Sequence, residues 1–179
     1  MVERGPAHIW AMRGTYLALA MVVIFLHLLP LQTMPRQFAG PDLLVALTFA
    51  WALRRPDYVP MVLVAGVMLL ADLLFGRPPG LWAALVLIAT EWLKRRDRRM
   101  RDTTFVAEWI TVAVVLVLLQ IAYRLTLGVL IVPGGALFLS VMQCAMTVLV
   151  YPAVVGLSHV ILRVRRRAPG ELDPMGRRT

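Results

Sequence analysis

The chain alternates long apolar runs with clusters of arginine, and that pattern leaves few folds open to it. Residues 14–31, 58–75, 104–125 and 134–162 reach or approach the roughly 20 residues with which a helix crosses about 30 Å of hydrocarbon. Residues 43–53 and 81–93 are shorter runs. They are bounded by Pro41-Asp42 and Arg54-Arg55-Pro56, and by Pro78-Pro79-Gly80 and Lys94-Arg95-Arg96. At about 1.5 Å per residue these two span only about 16–20 Å, so flanking turns and snorkelling arginines have to supply the rest. Hydrophobic residues make up 60% of the chain, and mean hydropathy is +0.75. Soluble domains run at about 45–50% apolar on a count that includes glycine. A soluble fold of 179 residues could not hide the excess. The expectation is an all-α, polytopic integral membrane protein with six transmembrane helices, two of them short.

Charge gives the orientation. With six crossings, sixteen of the nineteen Lys and Arg fall on one side: Arg4, Arg13, Arg54, Arg55, the run Lys94, Arg95, Arg96, Arg98, Arg99 and Arg101, and the tail Arg163, Arg165, Arg166, Arg167, Arg177 and Arg178. Arg36, Arg77 and Arg124 fall on the other. Basic loops stay cytoplasmic, so both termini are expected inside. With four crossings the split is fifteen to four. Charge therefore decides orientation and not the number of spans. Residues 1–13 form a cytoplasmic N-terminus, 14–162 the transmembrane domain, and 163–179 a basic cytoplasmic tail whose Ala168-Pro169-Gly170 and Asp173-Pro174 suit a disordered segment. A cleavable signal peptide is the lesser reading of the first run, because Pro30-Leu31-Gln32-Thr33-Met34-Pro35 offers no small-residue cleavage site.

A formal charge of +9 would suggest nucleic acid in a soluble protein. Here no soluble module carries the charge, and no nucleic-acid partner is expected. Anionic lipid is the expected partner of the basic loops, at about 1 kcal/mol per residue near the surface. Cys144 is the single cysteine and forms no intrachain disulfide.

Residue types that carry catalysis are scattered. His8, His27 and His159 lie far apart, with no partner at metal-ligand spacing. No phosphate-binding glycine loop with a Lys-Ser/Thr end is present. Gly156-Leu157-Ser158-His159-Val160 opens like a nucleophile elbow, but it lacks the closing glycine and lies in an apolar run. Neither metal nor cofactor is expected. Ionisable groups within the apolar runs are better leads, because burial in lipid is expensive. Asp42 suits a helix N-cap. Asp72 either pairs with Arg77 or organises a neighbouring helix end. Glu91 precedes Lys94 and Arg95 at ion-pair spacing on a face expected to be solvated. Glu108 stands in the opening turns of its helix, where the dipole favours negative charge. Arg124 is expected to snorkel outward and Gln120 to bond across helices. His27 reads as a packing residue, and Ala46 with Ala50 as a small-xxx-small pair.

One stretch carries a family resemblance. Pro41-Asp42-Leu43-Leu44 leads into Phe49-Ala50-Trp51-Ala52-Leu53-Arg54-Arg55-Pro56-Asp57-Tyr58-Val59-Pro60, then Leu70-Ala71-Asp72-Leu73-Leu74-Phe75 and Arg77-Pro78-Pro79-Gly80-Leu81. This resembles the MreD family of rod shape-determining proteins, in its alphaproteobacterial form, and the likeness is best over residues 41–91. It implies a non-catalytic multi-pass protein of the bacterial inner membrane that binds MreC. It also implies membership of the cell-elongation complex, with MreB filaments, a SEDS glycosyltransferase and a class B penicillin-binding transpeptidase. The resemblance favours six spans and a fold like the substrate-binding component of energy-coupling-factor transporters. Pro41, Asp42, Trp51, Arg54, Arg55, Pro56, Asp72 and Gly80 match the motif and are candidates for structural or partner-interface roles. The glycine usual before Asp-Leu-Leu is replaced by Ala71. The alternative is a membrane component that binds a small vitamin-like molecule for an importer, which would need a polar, aromatic-lined pocket near the outer face. A membrane enzyme of lipid or wall metabolism is the least supported reading.

Overall fold

Prolines punctuate the apolar runs, and most of the helices begin or end within a few residues of one. The computed structural model describes residues 6–29, 39–99, 104–132 and 135–162. Arg4, Arg36, Arg101 and the expected tail from Arg163 lie outside the described residues. Those described contain no strand. They form α1 (Pro6–Leu28), α2 (Leu43–Arg54), a 3-10 turn (Pro56–Tyr58), α3 (Met61–Leu74), α4 (Leu81–Arg99), α5 (Phe105–Val129) and α6 (Leu137–Leu162). Three of these, α1, α5 and α6, are long and apolar enough to cross a membrane.

Several boundaries differ from the sequence expectation, three of them for a plain local reason. Helix α1 starts at Pro6 instead of residue 14, since proline in a first turn lacks only an N–H that has no helical partner. Helix α3 starts at Met61 instead of residue 58. Pro56 opens the 3-10 turn, and Pro60 holds extended backbone as the N-cap. Helix α4 runs on through the basic residues to Arg99. Lys and Arg are good helix formers, and a Glu91–Lys94 ion pair of 2.7 Å spans one turn of it. The short helices are therefore α2 and α3, with 12 and 14 residues, about 18 Å and about 21 Å long.

Helix α2 sits at the centre, with α1, α4 and α6 packed around it. Eleven of its twelve residues are buried, a pattern only a helix enclosed on all sides can show. Ala46 and Ala50 are both fully buried on it. Hydrogen bonds give its direction relative to α6. The Asp42 N–H donates to Thr147 Oγ1 at 2.8 Å, and Trp51 Nε1 donates to Ser158 Oγ at 3.2 Å. The two helices thus run parallel. Helix α5 runs the other way, since its start reaches the end of α2 through Glu108 and Arg54. Helix α1 lies across α2 through Tyr16. The Thr48 hydroxyl donates to Leu44 O at 2.7 Å, so the 2.9 Å contact between Tyr16 OH and Thr48 Oγ1 has the tyrosine as donor.

Pro152 lies inside α6 and cannot donate to the carbonyl of Val148 four residues earlier. The indole N–H of Trp109 on α5 fills the vacancy, 2.8 Å from Val148 O. A neighbouring helix repairs the break, as a proline in an apolar helix requires.

Helix α5 ends in a turn that a β-branched residue resists. Val132 N bonds Leu127 O at 3.0 Å, closing a Schellman-type cap that needs a left-handed residue at Ile131. Ile131 adopts φ of 56° there, and its side chain is 91% exposed, so packing gives nothing back. Ile131→Gly is expected to stabilise the chain by about 1 kcal/mol, read as a higher midpoint of thermal unfolding in a mild detergent. An unchanged or lower midpoint would count against this turn.

Candidate functional site at the two ends of the helical bundle

The described polar side chains gather at two ends of the bundle, one where the basic loops lie and one opposite. At the basic end, α2, α5 and α6 meet around Glu108. Arg54 Nη1 donates to Glu108 Oε1 at 2.7 Å, and its Nη2 lies 3.5 Å from Oε2. Tyr151 OH donates to Oε1 at 2.7 Å, and Arg54 Nη1 also reaches Ala50 O at 3.3 Å. The side chains of Arg54 and Glu108 are 8% and 2% exposed. A charge pair this secluded holds only because several hydrogen bonds satisfy it at once. The expected dipole role of Glu108 is thus the lesser part of its work.

Lys94 is buried too, although its face of α4 was expected to be solvated. Its ammonium bonds Val59 O at 2.6 Å and Glu91 Oε1 at 2.7 Å, which ties α4 to the turn before α3. On the rim, Arg13 Nε donates to Asp57 O at 3.0 Å and ties α1 to the same turn. Trp51 lies just inside, fully buried, with Tyr16 and Tyr58 at ring-centroid distances of 5.8 Å and 6.4 Å.

At the opposite end two aspartates hold two helix starts. Asp42 caps α2 through Val45 N at 3.1 Å. Asp72, with no exposed surface, reaches from α3 to the start of α4. Its Oδ2 accepts from Gly80 N at 3.2 Å and Ala83 N at 3.0 Å. Gly80 holds φ of 86°, a left-handed conformation that presents its N–H to the carboxylate and that glycine takes without strain. Of the two roles open to Asp72 in the sequence, the structure takes the helix end. The ion-pair partner of Arg77 is Asp42, at 3.8 Å. Arg77 reaches this position because α3 ends in a left-handed Gly76, which folds the Arg77 N–H back onto Asp72 O at 3.0 Å. Arg124 reaches toward this same end of the bundle, to the start of α6. It bonds Ser140 Oγ at 2.6 Å and Ala136 O at 3.1 Å, joining α5 to α6. His27 stacks at 4.3 Å on Phe75, the packing role expected of it.

Of the eight motif residues, Trp51, Arg54, Arg55 and Asp72 are buried, whereas Pro41, Asp42, Pro56 and Gly80 are half-buried. Asp42, Asp72 and Gly80 collect at one end, and Trp51, Arg54, Arg55 and Pro56 at the other. A groove of about 170 Å³ at the Asp42 end is lined by residues that include His27, Asp42, Phe75 and Arg77. Sequence reasoning passed over Trp109 and Tyr151. Each is an aromatic donor within an apolar run, and a donor of that kind generally finds a partner when buried.

The chain matches no family model, no curated protein and no solved structure. The likeness to the MreD family stands on the motif residues alone.

Proposed function

We propose that the chain is a non-catalytic scaffold of the bacterial cell-elongation complex. In this reading it binds MreC in the inner membrane and helps couple MreB filaments to peptidoglycan synthesis. All six helices cross, both termini are cytoplasmic, and the short α2 and α3 are tolerated because α2 is enclosed by other helices and α3 packs along α4. The observation that carries the reading is how the polar residues of the family-like segment are used. Arg54 binds Glu108, Asp42 caps α2, and Asp72 caps α4. They are committed to holding helices together. The outward faces carry apolar side chains, such as Phe25 on α1, Leu118 on α5 and Leu149 on α6. A protein built this way works by docking other helices against a fixed frame.

Among the described residues, the groove at the Asp42 end gives the importer reading a foothold. Its volume of about 170 Å³ falls below the roughly 300–1,000 Å³ of drug-sized ligand pockets, and the scaffold reading is preferred. Gentle purification of a tagged copy from its native membrane tests the choice. Co-purification of MreC and the elongation synthases is the expected result. Recovery of an ATP-binding-cassette pair with a coupling subunit would overturn it.

A further inference from the structure

The Arg77 guanidinium lies over two aromatic rings, 5.4 Å from the centroid of Phe75 and 5.4 Å from that of Trp82. Its side chain is 21% exposed, and Asp42 Oδ2 stands 3.8 Å away, outside hydrogen-bond reach. Among the described residues no acceptor hydrogen-bonds this guanidinium. A guanidinium carries five N–H donors in a planar fork that suits phosphate. The two rings hold the guanidinium in place, and its donors are left for something else.

The same guanidinium forms part of the wall of the groove, beside Asp42, His27, Leu26 and Leu43. Asp42 has divided its carboxylate: Oδ1 takes the Val45 N–H, and Oδ2 faces Arg77. Leu26 and Leu43 are 52% and 37% exposed. In a bilayer these leucines meet acyl chains. The groove therefore offers a cation with unfilled donors, an anion close beside it, and an apolar exit toward lipid.

A ligand that satisfies all three carries a phosphate, a primary ammonium one short arm away, and fatty chains. We propose that the groove holds the headgroup of an aminophospholipid, with phosphate on Arg77 and ammonium on Asp42 Oδ2. A purely anionic headgroup would leave Asp42 facing negative charge. A trimethylated ammonium has no N–H and could not donate to it. The groove's volume of about 170 Å³ is close to the roughly 150 Å³ that accepts benzene, enough for the short headgroup arm with the chains outside. This site depends on the membrane setting and on no protein partner.

Lipid retention by the full chain in mild detergent, read by native mass spectrometry, tests the proposal. The probes are phosphatidylethanolamine, phosphatidylcholine and phosphatidylglycerol with identical chains, and soluble O-phosphoethanolamine. Phosphatidylethanolamine is expected to be held about tenfold more tightly than either other lipid, the gain of a charge-assisted hydrogen bond. Asp42→Asn keeps the helix cap and is expected to abolish the preference over phosphatidylcholine. Arg77→Gln is expected to weaken all three lipids. Soluble O-phosphoethanolamine at the lipid's concentration should displace nothing. Equal retention of the lipids by the natural chain, or an undiminished preference in Asp42→Asn, would overturn the proposal. Displacement by the soluble headgroup would overturn it as well, by assigning the groove to a ligand without chains.

Discussion

Glu108→Ala is expected to destabilise the chain by about 3–5 kcal/mol, the cost of stranding one member of a buried ion pair. Arg54 would keep its charge in a site where its side chain is only 8% exposed, with Ala50 O at 3.3 Å as its remaining partner. Tyr151 would lose the acceptor of its hydroxyl at the same time. Thermal unfolding in a mild detergent reads the loss, along with the amount of folded protein recovered from membranes. The apolar pair Arg54→Met with Glu108→Leu should regain most of it, because replacing both buried charges removes the desolvation cost along with the attraction. A single Glu108→Ala variant within about 1 kcal/mol of the natural chain would show that the pair is not buried as described.

Asp72→Ala is the second large effect. It removes the one oxygen that accepts from both Gly80 N and Ala83 N, so two backbone donors at the start of α4 lose their partner away from water. At about 1–3 kcal/mol for each orphaned group, the loss is about 2–6 kcal/mol, measured by the same unfolding experiment. Asp72→Asn should cost less than half as much. Its amide oxygen can take the Oδ2 position, and Oδ1 has no partner among the described residues to lose. Equal losses in the alanine and asparagine variants would contradict the capping role and point instead to a need for the charge.

Three carboxylates show how far the sequence can be read. Asp42 was legible as a cap because capping is local: a short polar residue after proline, three positions before the N–H it accepts. Asp72 was half legible. A carboxylate near a helix end has few uses, but choosing between Arg77 and the next helix depends on the turn that Gly76 makes. Glu108 is legible only as an acid in the first turn of its helix; its partner lies 54 residues away, and helix periodicity carries no information at that range. The same holds for Lys94 and Val59, 35 residues apart. The apolar runs and their proline boundaries gave the helical class, since those signals are also local. The central position of α2 was hinted at by Ala46 and Ala50, yet only the packing of three other helices around it reveals the enclosure.

The scaffold reading requires the six helices to cross with the basic end inside, and the turn between α3 and α4 tests whether α3 and α4 cross as a pair. Pro79 is exposed in that turn. With six crossings it faces outward; if α2 and α4 fail to cross, it faces the cytoplasm. In a chain whose own Cys144 is replaced by serine, Pro79→Cys can be tested with a membrane-impermeant maleimide on cells whose outer envelope has been opened. Labelling of Cys at this position in intact inner membranes, with Arg95→Cys labelled only after lysis, is the predicted result. Protection of both positions until lysis would contradict the six-crossing bundle.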